Sequence, residues 1–196
     1  MFKKYLSDPS FLLLLAGNLF CIWYYQQHPD GFATVVWIYL LQSIIIGLFN
    51  FIDLLTISNY DTGSFKINDE QVSEKNKGCV AWFFLVHYGG FHLAYMVFIL
   101  IKFGVRHIDK IFLLIGIAAF FMESLSGYIK RSRNRQTQKV NIGSMFFLPY
   151  LRIIPMHLMI LLPSFTGLQP SVIFLGLKMG ADLLSYLLYH FIYNKE

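Results

Sequence analysis

Seven side chains able to do chemistry fall inside long apolar runs: His87, His92, Glu123, Arg152, His157, Lys178 and Asp182. Asp53 and His190 are ionisable too, and Asn18, Gln42 and Asn50 add neutral polar groups. A charge at the middle of a bilayer costs at least about 2.5–3.5 kcal/mol on insertion scales, so it normally faces a bundle interior and has a partner. A bundle that needed only to be solid would not require so many. His92 lies 13 residues beyond Cys79, His157 lies 13 beyond Ser144, and Asp182 lies 12 beyond Pro170. At 1.5 Å of rise per residue, all three sit roughly 18–20 Å along their helices, near mid-membrane.

Histidine and aspartate converging from three helices are zinc-type ligands. The leading expectation is therefore a membrane metalloprotein, with a divalent transition metal such as zinc held by His87 or His92, His157 and Asp182. Such a metal activates water, which makes an intramembrane hydrolase the implied chemistry. His87 and His92 are five apart, about 140° around an ideal helix, so both serve only if Gly89 and Gly90 bend it. Those two glycines are also expected to let a helix or ligand approach closely. Arg152 cannot be neutralised by losing its proton, so it needs an acid, Glu123 first by depth and Asp53 second. Lys178 and Asp182, four apart, can pair on one helix face. Arg152, Glu123 and Lys178 are the candidate catalytic residues, and an anion or phosphate is the functional partner of Arg152.

Three other readings compete. A proton-coupled, ion or small-anion transporter or channel would use Glu123, Arg152, Lys178, Asp182 and His190 as a polar route. A haem protein would clamp iron between His92 and His157. A structural protein would use the polar residues only to hold helices together. The nearest approach to a serine-protease motif, Glu123-Ser124-Leu125-Ser126-Gly127, lacks the leading glycine, and no phosphate loop or dinucleotide fingerprint is present.

The elements that must position these residues follow from composition. Of 196 residues, 56% are hydrophobic and 14% charged. Soluble domains average about 45–50% and 25%. Disorder is excluded, since it needs low hydrophobicity and high charge. Six apolar runs predict an all-α, polytopic membrane protein, a single domain over 1–196: 11–25, 33–55, 79–101, 111–129, 144–162 and 170–193. The first follows Lys3 and Lys4 like a signal peptide but lacks a clean cleavage site, so it reads as a retained helix. A polar loop over 56–78 and a basic loop over 130–143 lie on one side.

That side gathers eleven Lys and Arg: Lys3, Lys4, Lys66, Lys75, Lys77, Lys130, Arg131, Arg133, Arg135, Lys139 and Lys195. The other has Lys102, Arg106 and Lys110. The positive-inside rule puts both termini in the cytoplasm. The basic loop is expected on anionic lipid rather than nucleic acid, and the bias suits a multi-pass protein of a cell inner membrane. The chain is too short for an ordinary two-repeat transporter in one subunit; as a homodimer it could still work. Cys21 and Cys79 fall toward opposite membrane faces and read as packing residues.

Four stretches together resemble the uncharacterised membrane family DUF6498, a domain of unknown function: Trp37 to Asn50 with Gln42 and Gly47; His87-Tyr88-Gly89-Gly90-Phe91; Pro149-Tyr150-x-Arg152 with His157; and Lys178 with Asp182 and His190. The resemblance covers nearly the whole chain. The sequence departs from the family pattern at Gln42, Asp53 and Tyr95. It implies a six-helix bundle and no particular activity.

Overall fold

The computed structural model describes residues 7–63, 65–67, 70–73, 76–134, 139–166 and 172–193. Lys3, Lys4, Lys75, Arg135 and Lys195 of the charge count lie outside the described residues, as do Gly167 and Pro170.

Each of the six apolar runs forms a helix. Helix α1 (Pro9–Gln27) opens with an Asp8 side chain accepting from the Ser10 amide at 3.0 Å, and Pro9 stands where a missing amide proton costs nothing. It stops at His28, and Pro29–Gly31 make one 3₁₀ turn into α2 (Phe32–Thr56). The polar stretch after α2 carries three two-residue strands: β1 (Tyr60–Asp61), β2 (Lys66–Ile67) and β3 (Glu70–Gln71). Helix α3 (Lys77–Lys102) ends in a tight turn at Gly104, whose φ of 64° suits glycine. Helix α4 (Lys110–Asn134) runs further than its apolar stretch, so Lys130, Arg131 and Arg133 stand on helix rather than loop. Strand β4 (Val140–Asn141) pairs in parallel with β1, tying the loop before α3 to the one before α5 (Ile142–Thr166). Asn141 then caps α5 by accepting from the Ser144 amide at 2.8 Å. Helix α6 (Val172–Tyr193) completes the described chain.

Helix α1 packs on α4 and α6, α2 packs on α4 and α5, and α5 packs on α6. Those contacts close a ring of five helices, α1-α4-α2-α5-α6. Helix α3 lies outside it, against α2. The α2/α3 approach depends on Gly47: a Cβ there would stand 2.4 Å from Cε1 of the Tyr88 ring. Gly89 and Gly90 do not act as expected, since a Cβ on either meets nothing within 4 Å.

Polarity is distributed inside out. Ile101 is 82% exposed, and Val86, Ile111, Ile173 and Phe191 are exposed too. Asn18, Gln42, Asp53, Glu123, Arg152, Lys178 and Asp182 are buried. Water would penalise such an apolar exterior, whereas hydrocarbon would not. Among the described residues, four helices are long and apolar enough to cross a membrane: α2 with its leading turn, α3, α4 and α6. The fold is a polytopic helical membrane fold.

Candidate functional site

Every helix of the ring sends a polar side chain inward. Asp182, fully buried on α6, is the hub. Its Oδ2 accepts from Asn18 Nδ2 of α1 at 3.0 Å and Gln42 Nε2 of α2 at 3.2 Å, and it also pairs with Lys178 one turn earlier. The Lys178 ammonium donates to the Gln42 carbonyl as well, and it lies 4.3 Å from the Tyr39 ring centroid and 5.4 Å from that of Phe120. A carboxylate, an amide and two ring faces thus cage this cation. Lys178 and Asp182 pair as the sequence predicted.

Arg152 reaches the hub from α5. Its Nε stands 4.0 Å from Asp182 Oδ1, too far for a hydrogen bond. Both atoms are buried and neither has a hydrogen-bond partner. Asp53, one of the two expected partners, is taken instead by Arg131, with Nε to Oδ2 at 2.8 Å. Glu123, the other, is buried on α4 and accepts from Ser124 Oγ at 3.1 Å.

Arg152 and Glu123 line one cavity of about 70 Å³. At roughly 10–15 Å³ for each water, it holds about five to seven waters or one small oxyanion. Lys130 and Arg131 of α4, and Tyr186, Tyr189 and His190 of α6, line it as well. It sits toward the end of the bundle where α1 begins and α4 and α6 finish. At that end Asp8 holds the mouth together: Lys130 pairs with it, and Tyr186 donates to it at 2.5 Å. Burial pushes the Asp8 carboxyl up, but hydrogen bonds from Lys130 and Tyr186 and the Lys130 charge outweigh that and hold it below the usual carboxylate range. Lys178 does not line the cavity.

The expected metal centre is overturned. Among the described residues, no group of three or more His, Cys, Asp or Glu is placed to hold a metal ion. Equal depth did not mean a common face. His87 is exposed, with Nδ1 2.8 Å from the Tyr150 hydroxyl. His92 donates from Nδ1 to the Tyr88 carbonyl at 2.8 Å, which leaves Nε2 to accept from Ser43 Oγ at 2.8 Å. His157 donates from Nδ1 to the Ile153 carbonyl at 2.9 Å and sets its ring edge-on to Tyr95. Asp182 is saturated on one oxygen inside the ring. His87 and His92 stand on the one helix outside that ring. The zinc cofactor, the hydrolase built on it and the metal-binding assignment therefore fall together. The haem clamp fails too, because both ring nitrogens of His92 are already engaged. Cys21 and Cys79 are free thiols.

Sequence reasoning missed two groupings. Ser43, His92 and Tyr88 form a buried hydrogen-bonded set between α2 and α3, with Ser43 Oγ 2.9 Å from the Tyr88 hydroxyl. Its signal was the i, i+4 spacing of Tyr88 and His92, which sets a histidine against its own helix carbonyl. The Asp8–Lys130–Tyr186 mouth had no local signal, since its members lie far apart in sequence.

Neither a curated protein nor a solved structure matches this chain. The family resemblance is borne out: a family model, described as "Family of unknown function (DUF6498)", matches residues 1–192, and the chain belongs to that family.

Proposed function

We propose that this chain is an oxyanion-binding membrane protein, with Arg152 as the anchoring ligand in the cavity between α1, α2, α4, α5 and α6. In this reading all six helices cross the bilayer. The 19 residues of α1 span about 28 Å, close to the thickness of the hydrocarbon core. The cavity opens toward the cytoplasm, where both termini lie. Supporting that sidedness, Lys66, Lys77, Lys130, Arg131, Arg133 and Lys139 crowd one end, against Lys102, Arg106 and Lys110 at the other. The basic end rests on anionic lipid, and a cell inner membrane suits the bias.

The observation that carries the proposal is Arg152 itself. A guanidinium 6% exposed, with Nε unbonded, lines a cavity that Lys130 and Arg131 also face. A buried guanidinium that cannot lose its proton is costly unless paired and hydrogen-bonded. Its planar fork matches an oxyanion in two bonds. Lys178 acts at one remove: by holding Asp182 Oδ2 it keeps that carboxylate from capturing Arg152 outright.

Sulfate added to detergent-purified protein tests this. It is expected to raise the melting temperature saturably where equal ionic strength of chloride does not. Arg152→Gln is expected to abolish the rise, and Arg152→Lys, which keeps the charge but loses the fork, to weaken it. An equal sulfate response in wild type and Arg152→Gln would overturn the assignment.

A further inference from the structure

The charges around the cavity can be paired off. Asp8 is paired with Lys130, Asp53 with Arg131, and Asp182 with Lys178. Among the described residues, one carboxyl group and one permanent cation remain, Glu123 and Arg152, and both line the cavity. Arg152 Nε has no hydrogen-bond partner, and the nearby Asp182 oxygen stops at 4.0 Å. Glu123 accepts from the Ser124 hydroxyl, a neutral donor on its own helix. With the cavity empty, an ionised Glu123 would be the charge left to balance Arg152. An oxyanion that takes up Arg152 would then share a buried space with a second negative charge, which low dielectric forbids.

We infer that oxyanion binding in this cavity is coupled to a proton: Glu123 takes up one proton from solution for each oxyanion bound at Arg152, and gives it back on release. This rests on the reading of Arg152 as an oxyanion ligand and adds the regulation of that site. No covalent bond forms or breaks. The protonated carboxyl turns from repelling the oxyanion to donating a hydrogen bond to it. Other groups face Glu123 from each packed element. From α1 and α2 the cavity wall takes only uncharged side chains, Ser10, Ile46 and Phe49; α5 brings Arg152, and α4 itself Lys130 and Arg131. Helix α6 adds Asp182, held by Lys178, together with Tyr186, Tyr189 and His190. Among these, His190 is the other side chain able to take up a proton.

Calorimetric titration with sulfate, in buffers of different ionisation enthalpy, measures the protons directly. Sulfate stays fully ionised across the working range, so any proton taken up belongs to the protein. Wild type is expected to bind about one proton per sulfate above the Glu123 transition, with Kd rising about tenfold per pH unit there. Glu123→Gln is expected to bind sulfate with no proton uptake and with the tight, low-pH Kd at every pH. His190→Gln is expected to keep the uptake of one proton per sulfate, whatever its effect on Kd, because the coupled proton belongs to Glu123. Sulfate binding without proton uptake in wild type, or uptake persisting in Glu123→Gln, overturns the coupling while leaving Arg152 as ligand. Unaltered sulfate binding in Arg152→Gln overturns both. The ligand's phosphate-like chemistry could come from a free ion or a lipid headgroup. Displacement of sulfate by phosphatidic acid in neutral-lipid nanodiscs assigns a headgroup, its absence a free oxyanion, and the one-proton stoichiometry is expected with either.

Discussion

The Lys178–Asp182 pair is the contact on which the ring's centre turns, and its energetics can be worked out from its partners. Removing Asp182 alone, as Asp182→Leu, leaves the Lys178 ammonium caged with the Gln42 carbonyl and two aromatic faces but no counter-charge. Removing one partner of a buried pair costs about 3–5 kcal/mol. Lys178→Met leaves a buried carboxylate that retains the amides of Asn18 and Gln42, toward the lower end of that range. If the two changes were independent, the double variant would lose about 6–10 kcal/mol, more than most domains possess. Removing both charges together is different. Asn18 keeps its hydrogen bond to the Leu14 carbonyl at 2.9 Å. Gln42 is orphaned, at about 1–3 kcal/mol, and Arg152 loses the Asp182 charge 4.0 Å away in the double variant just as it does in Asp182→Leu. The double variant is therefore expected to be more stable than either single one, with a coupling energy of at least about 3 kcal/mol. Reversible unfolding in mixed micelles of increasing SDS fraction, followed by circular dichroism, measures all four corners of the cycle. Additivity within about 0.5 kcal/mol would refute the reasoning, because two residues in one buried pair cannot be energetically independent.

Two further outcomes follow from local geometry. Gly47→Ala drives a methyl group to 2.4 Å from the Tyr88 ring, which stacks on His92 at 4.2 Å and donates to the Ser43 carbonyl; it is expected to cost about 1–3 kcal/mol in the same assay, whereas Gly89→Ala, which meets nothing, stays within about 0.5 kcal/mol. Asp8, whose carboxyl is held low in the folded state, contributes stability that is complete above the ordinary carboxylate range and is lost as pH falls through its lower folded value; melting temperature followed from about pH 6 to 3 is expected to fall less steeply in Asp8→Asn than in wild type.

Much of the bundle could be read from hydropathy alone, because backbone satisfaction in hydrocarbon leaves long apolar runs only one conformation. Helix ends were less legible. Helix α4 continues past its last apolar residue, Ile129, and so carries Lys130 and Arg131 on helix, where they turn back to Asp8 and Asp53. The site was half legible. Arg152, Glu123, Lys178 and Asp182 announced themselves as charges in apolar surroundings, and each of the ring's five helices contributes one or another of them or a hydrogen-bonding amide. The histidines announced themselves in the same way and misled. Depth along a helix is fixed by residue count, but the face a residue presents depends on packing partners that hydropathy does not name.

The histidines also differ from the charges in what burial demands of them. A neutral imidazole can satisfy one nitrogen on the carbonyl one turn back, as His92 and His157 do, and the other on a hydroxyl such as that of Ser43. It then needs nothing further from the fold. Buried guanidinium, ammonium and carboxylate groups have no such local remedy, so they must meet one another. This explains the division of the molecule. Helix α3, which carries His87 and His92 but no ionised side chain between Lys77 and Lys102, lies outside the ring and is bound to it through rings and hydroxyls: Tyr88 on Ser43, Phe84 against Tyr150, Tyr95 against His157. The helices that carry intramembrane charges close on a common interior. Within that interior, among the described residues, every acid but Glu123 already has a hydrogen-bonded cation, and Arg152 Nε has no hydrogen-bonded acid. Function is therefore to be sought where pairing is incomplete, on the cavity wall that these two residues share.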